Sequence, residues 1–211
     1  MKKIKKRNNP AKLHQKVAMI KIKPQDIAFD IDGVVADTMS SFIQIAKDHF
    51  GINSIRKEDI TSYWLEECLD IPETVIKEII NKILEDPFGT KLKPIEGAVD
   101  TIKAICKNCP VYFVTARPVK EPITEWLYTI LEDVPQERIR VVATGQHAMK
   151  PRVLKEIGKT YFLEDHLETC QAIHLAGLRP IVFDQPWNRD DTPFLRIHNW
   201  NQLKRLLETD G

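Results

Sequence analysis

The sequence predicts an α/β protein, a doubly wound parallel sheet with a small helical cap inserted after its first strand. Three observations carry this. Short apolar runs such as Ile27-Ala28-Phe29 lack the alternation of a half-wet strand, as expected for strands buried on both faces. From Gly97 onward such runs alternate with amphipathic helical patterns, the rhythm of repeated strand-helix units in a parallel sheet. Between Thr38 and Gly97 the pattern is helical without a convincing strand, so an insertion splits the first unit. The expected organisation is a basic arm over 1–25, a core formed by 26–38 and 97–211, and a cap over 39–96.

A chain of 211 residues can bury one substantial core, or a core with a modest insertion. No apolar run approaches the roughly 18 residues of a membrane span, and no signal-peptide stretch follows the basic start, so a soluble protein is expected. The four cysteines lie in helical or buried patterns, which suits a reducing cytoplasm better than a secreted disulfide framework. Cys106 and Cys109 form a lone C-x-x-C with no second pair, and read as structural. Residues 1–25 carry nine Lys or Arg and no acid, which leaves 31 − 9 = 22 bases against 30 acids elsewhere. The basic character therefore belongs to the arm. Such an arm can be a solvated tail or can attach to nucleic acid; Met19, just before the first strand, is an alternative start that loses no group of the chemistry below.

The first strand ends in Asp30 and Asp32, with Gly33 supplying a turn that residues with a Cβ resist. Thr38 is expected to cap a helix from Met39, whose apolar face is Met39, Phe42, Ile43, Ala46 and Phe50 and whose end is Gly51. A second amphipathic helix follows Pro72, with Val75, Ile76, Ile79, Ile80 and Ile83 on one stripe. A helix through Val99, Ile102 and Ile105 then leads to the strand Val111 to Val114 and to Thr115-Ala116-Arg117-Pro118. After a helix bearing Ile123, Trp126, Leu127 and Ile130 comes the strand Ile139 to Ala143. Lys150-Pro151 opens the next helix, with proline at a favoured first-turn position, and Gly158 closes it. The strand Tyr161 to Leu163 runs into Glu164 and Asp165, a helix follows to Gly177, and a last strand, Ile181 to Phe183, is expected before Asp184.

In a parallel sheet these strand ends share one edge, where open α/β sheets bind ligands. Asp30, Asp32, Glu164 and Asp165 would then repel by about 4 kcal/mol per close pair at an effective dielectric near 20. A cation must offset that. Carboxylates with open positions suit Mg²⁺, which also takes water and phosphate oxygens, and Lys150 can add a fixed positive charge.

Asp-x-Asp-Gly alone is also a common strand-to-turn sequence. Four segments in order, FDIDG, FVTAR, a Lys and FLED, resemble the motifs of the haloacid dehalogenase-like hydrolases, over nearly the whole chain from Asp26. The resemblance implies a Rossmann-like core and Mg²⁺-dependent phosphate ester hydrolysis through an aspartyl-phosphate. It makes Asp30 the nucleophile and Asp32 the acid and base. Thr115 would hold a phosphoryl oxygen, and Lys150 would steady nucleophile and phosphate. Asp30, Asp165 and the backbone carbonyl of Asp32 would bind the metal. Lys155 competes for the lysine role; Lys150 is favoured because it stands at a helix start facing the phosphate. Glu164 is expected to tune the site without touching the metal, and Glu168 is not where a supporting acid usually falls.

The helical insertion with TARP, EDH and DQPWNR resembles the 5′(3′)-deoxyribonucleotidase-like family, which implies nucleoside monophosphate substrates. Arg117 then joins Thr115 and Lys150 as a candidate for substrate phosphate. Two alternatives stay open at this level: a phosphatase of nucleic-acid ends tethered by the basic arm, and a non-catalytic module that binds a phosphorylated ligand. Oligomeric state is not legible.

Overall fold

A computed structural model describes residues 21–208 of the chain. Most of the expected arm, with Met19, lies outside the described residues. Its last residues do not: Ile22 is fully buried and its backbone bonds to Leu206 and Glu208 at 2.8 Å each. A single apolar residue between two lysines gives no periodicity, which is why the sequence assigned it to the arm.

The six strands are β1 (Ile27–Phe29), β2 (Val111–Thr115), β3 (Ile139–Ala143), β4 (Tyr161–Glu164), β5 (Arg179–Phe183) and β6 (Leu195–Ile197). They form one sheet in the order β3-β2-β1-β4-β5-β6, and every pairing is parallel. The chain moves outward from β1 in one direction through β2 and β3, then crosses back to continue from β4. Strand order therefore reverses between β1 and β4, and that switch point opens a crevice at the carboxyl edge. Register aligns Phe29 with Phe113 on one side and with Leu163 on the other. The acids after β1 and within and after β4, and Thr115 at the end of β2, thus emerge level with one another.

Between β1 and β2 the chain forms α1 (Thr38–Phe50), α2 (Glu73–Glu85) and α3 (Ala98–Cys106), with short 3₁₀ turns at Lys57–Asp59 and Leu65–Glu67. Apart from isolated bridges between Asp32 and Ala36 and between Ala36 and Pro94, no strand pairing occurs among the described residues of this stretch. The entry and exit of the 39–96 stretch lie side by side, with Asp37 N–H donating to Lys93 O at 2.9 Å and Ile95 N–H to Val35 O at 2.7 Å. Helix α1 starts one residue before the expected position. Its cap is Asp37, whose side chain accepts from the Ser40 N–H, while the Thr38 hydroxyl is spent on Asp32. The remaining helices are α4 (Glu121–Ile130), α5 (Lys150–Glu156), α6 (Leu167–Leu175) and α7 (Trp200–Leu206).

The sheet does not end at β5 as expected. β6 adds a sixth strand, and α7 seats Trp200 against Phe29 at 5.3 Å between ring centroids. A three-residue strand after a run of polar residues carries too little pattern to be read. The principal core is continuous from the sheet residues Phe29 and Phe113 to Phe42, Ile45, Ile79 and Ile83 of α1 and α2. A smaller cluster of Ala28, Val114, Leu154, Phe162 and Ile173 packs on the other face.

Candidate active site

The turn after β1 is tight. Ile31 O accepts from the N–H groups of Val34, Val35 and Ala36, and Gly33 N–H donates to Ala36 O at 2.9 Å. Gly33 takes φ +72°, and a Cβ there would collide with the Asp165 carboxylate. Both facts require glycine. Gln185 Nε2 holds the turn from the side by donating to Gly33 O at 2.7 Å.

Asp30 is buried just beyond β1. Its Oδ1 accepts from the Ile31 N–H at 2.7 Å and its Oδ2 pairs with Lys150 Nζ at 2.8 Å. Lys150, at the first position of α5, is itself fully buried and lies 2.8 Å from Glu164 Oε2 as well. An ammonium has three donors, so a third remains for a ligand. Lys155 sits on the exposed side of the same helix. Glu164 spends its other oxygen on the backbone N–H groups of Asp165 and His166, each at 3.0 Å. Both Glu164 oxygens are thus engaged by the protein. Glu168 is exposed and lies 3.9 Å from His166, turned away from the carboxylates.

Electrostatics separate these acids. Burial raises the Asp30 carboxyl well above the usual range, Glu164 adds to it, and Lys150 opposes both. Burial likewise raises Asp165, reinforced by Glu164 and Asp30. In Glu164, burial acts to raise the carboxyl, but Lys150 and the Asp165 hydrogen bond prevail and bring it down to about 2. Burial opposes the charge on Lys150, yet Asp30 and Glu164 hold its ammonium above its ordinary value.

Asp30, Glu164 and Asp165 offer oxygens within 4.8 Å of one another. One lysine cannot neutralise three buried carboxylates. Asp165 Oδ2 accepts from Trp187 Nε1 at 2.9 Å, whereas its buried Oδ1 has no partner. A buried oxygen without a donor is costly. Here it faces a cluster with excess negative charge, and hard oxygen donors of this kind fit Mg²⁺. The residues present therefore fit the expected metal.

Asp32 differs from Asp30 in being partly open to solvent. Its Oδ1 accepts from Thr38 Oγ1 at 2.6 Å and from Arg117 Nη2 at 2.8 Å, and its Oδ2 from Arg117 Nε at 2.9 Å. Burial acts to raise its carboxyl, and the Arg117 guanidinium, with Thr38, outweighs that and lowers it. Thr115 Oγ1, buried at the end of β2, accepts from the Arg117 N–H at 3.2 Å. A hydroxyl that accepts there keeps its own proton to give to a ligand. All six residues singled out in the sequence thus gather at this edge. Arg117 spends its side chain on the Asp32 carboxylate and the Leu84 carbonyl.

Four further side chains complete the wall. Tyr63, from the 39–96 stretch, stacks on His166 with ring centroids 3.9 Å apart, and its hydroxyl lies 3.2 Å from His147 Nε2. His147 and His166 both reach the Thr169 hydroxyl, at 3.2 and 2.8 Å. Burial lowers His166 to about 4 and also lowers His147, so it disfavours the charged form of both rings. The histidines and Trp187 carried no periodic signal. His166 and Trp187 entered the sequence reading only within the EDH and DQPWNR segments, and His147 could have been singled out only by its position after a strand end.

Comparison with known proteins adds lineage to this geometry. Residues 24–209 match the family described as 5′ nucleotidase, deoxy (Pyrimidine), cytosolic type C protein. A nucleotidase from Clostridium acetobutylicum is 23% identical over 185 residues, covering 87% of this chain and 93% of the relative. A 5′(3′)-deoxyribonucleotidase from Bacillus subtilis is 26% identical over 190 residues, covering 86% and 97%. Among solved structures, a HAD-superfamily hydrolase of subfamily IA from Geobacter sulfurreducens shares the fold at TM-score 0.54 and 13% identity, over 84% of this chain and 93% of that one.

Proposed function

The chain belongs to the family of cytosolic type C deoxy(pyrimidine) 5′-nucleotidases and is a phosphoric monoester hydrolase, and from that premise we propose that it dephosphorylates nucleoside monophosphates with Mg²⁺ through an aspartyl-phosphate. The observation that carries the reading is the buried Asp30–Lys150 pair at the switch point, beside an Asp165 oxygen that lacks a donor.

Asp30 supplies the nucleophile. The Ile31 N–H and Lys150 fix its two oxygens, so it attacks phosphorus without a search for orientation. The Thr115 hydroxyl and the third Lys150 donor bind phosphoryl oxygens whose charge changes in the transition state. Asp30, Asp165 and the backbone carbonyl of Asp32 would hold Mg²⁺. Bound there, it would supply positive charge to offset the carboxylates and the phosphoryl oxygens. Asp32 protonates the leaving oxygen and then takes a proton from the water that cleaves the acyl phosphate. The 39–96 stretch acts as a cap, a reading supported by its narrow neck at Val35–Asp37 and Lys93–Ile95 and by Tyr63 reaching the core. No helix among the described residues is long and apolar enough to cross a membrane, and four free thiols suit a reducing cytoplasm.

The test is phosphate release from a panel of nucleoside 5′- and 3′-monophosphates. Release is expected with Mg²⁺, none in excess chelator, and none at all from Asp30→Asn. A wild-type protein that released no phosphate from any member of the panel would overturn the nucleotidase reading.

A further inference from the structure

The carboxylate assigned to proton transfer is not free to turn. Arg117 grips Asp32 with two nearly parallel N–H···O bonds, at 2.9 Å from Nε and 2.8 Å from Nη2. The two side chains differ sharply in setting, 1% exposed for Arg117 and 27% for Asp32, so a rigid buried group holds one that borders the crevice. The third arm of the guanidinium reaches elsewhere: Nη1 donates to Leu84 O at 3.2 Å. Leu84 stands in the last turn of α2, where carbonyls have no helical partner. One side chain therefore completes the end of an inserted helix 33 residues earlier in the sequence and orients a site carboxylate 85 residues earlier.

We propose that Arg117 is a positioning residue, which sets the Asp32 carboxylate for proton transfer and ties that setting to the position of α2. The inference rests on the phosphatase reading above and replaces the direct hold on substrate phosphate expected from the sequence. Three of the guanidinium's five N–H groups are spent, and its forked edge, the part suited to a phosphate, already faces Asp32. A carboxylate bordering solvent samples several rotamers once such a fork is removed. Proton transfer then slows because the donor is seldom aligned, while the groups that bind phosphate stay in place.

The two roles separate in kinetics. Arg117→Ala is expected to lower kcat for an alkyl phosphate about 10²-fold, the range of a misplaced general acid, with KM changed less than about threefold. An aryl phosphate with an acidic leaving group needs little protonation, so its burst of released phenol should survive ahead of slow turnover. Arg117→Lys, which keeps the charge but not the fork, should recover about tenfold; it carries the test if the alanine variant fails to fold. Adding Arg117→Ala to Asp32→Asn should cost nothing further, because the residue acts through the carboxylate already removed. A raised KM with kcat intact would return Arg117 to substrate binding. Multiplicative losses in the double variant, or equal loss of the burst and of alkyl hydrolysis, would leave it merely structural. Inertness of the wild type toward both esters would sink the phosphatase reading along with the inference, whereas the other outcomes bear on Arg117 alone.

Discussion

Single residues decide whether this edge can hold charge. Gly33 has a left-handed φ and sits where a Cβ would strike the Asp165 carboxylate. Gly33→Ala should therefore lose more than about 2 kcal/mol, roughly 1–2 kcal/mol for the backbone and the rest from displaced neighbours, and should weaken Mg²⁺ binding. Urea denaturation with and without Mg²⁺ measures both, and a variant with unchanged stability would contradict the contact. The raised carboxyls of Asp30 and Asp165 have a second consequence. A group whose folded pKa lies above its ordinary 3.8 stabilises the fold below that value and loses this contribution as pH rises through the raised one. Mg²⁺ held by these acids would bind their ionised forms, so its stabilisation would grow over the same range. The rise in melting temperature on adding Mg²⁺ should be larger near pH 8 than near pH 5.5; a rise independent of pH would remove these acids from the metal's ligands. Glu164, already lowered to about 2, does not contribute in that window.

At the level of elements, the sequence was legible where periodicity is long. The helices Thr38–Phe50 and Glu73–Glu85 have apolar stripes of several turns, β2 is an apolar run and β3 is apolar except for Arg140, so each was placed within a residue or two. Short elements were not. β6 has three residues, and Ile22 forms a single bridge, so neither repeats often enough to show a period. The cap of the first inserted helix was misplaced because Asp37 and Thr38 are both good capping residues. The choice between them depends on Asp32, which draws the Thr38 hydroxyl away. The candidate site was legible for the same reason as the strands, since an acid directly after a buried run must lie at a sheet edge. What that rule cannot supply is pairing. Arg117 with Asp32, Trp187 with Asp165 and Tyr63 with His166 are set by the crossing of distant strands and loops.

For the whole molecule, the order β3-β2-β1-β4-β5-β6 followed from alternating strands and helices only as a class, and the position of the switch point came from the structure. The helical stretch between the first two strands was also legible, but its dependence on the rest was not. Phe42, Ile45, Ile79 and Ile83 belong to the same buried cluster as Phe29 and Phe113, so the inserted helices have no interior of their own. Swinging them away would strip apolar surface from the sheet, so their opening is expected to coincide with global unfolding. Native-state amide exchange should then report one free energy for Ile45, Ala46, Ile79, Phe29 and Phe113, equal to that of global unfolding. The connection over 52–71, which carries Tyr63 and the exposed Trp64, should exchange faster and act as the moving part through which substrate enters. Helices that exchanged together at a lower free energy than the sheet would instead make the insertion a separate unit that lifts as a body.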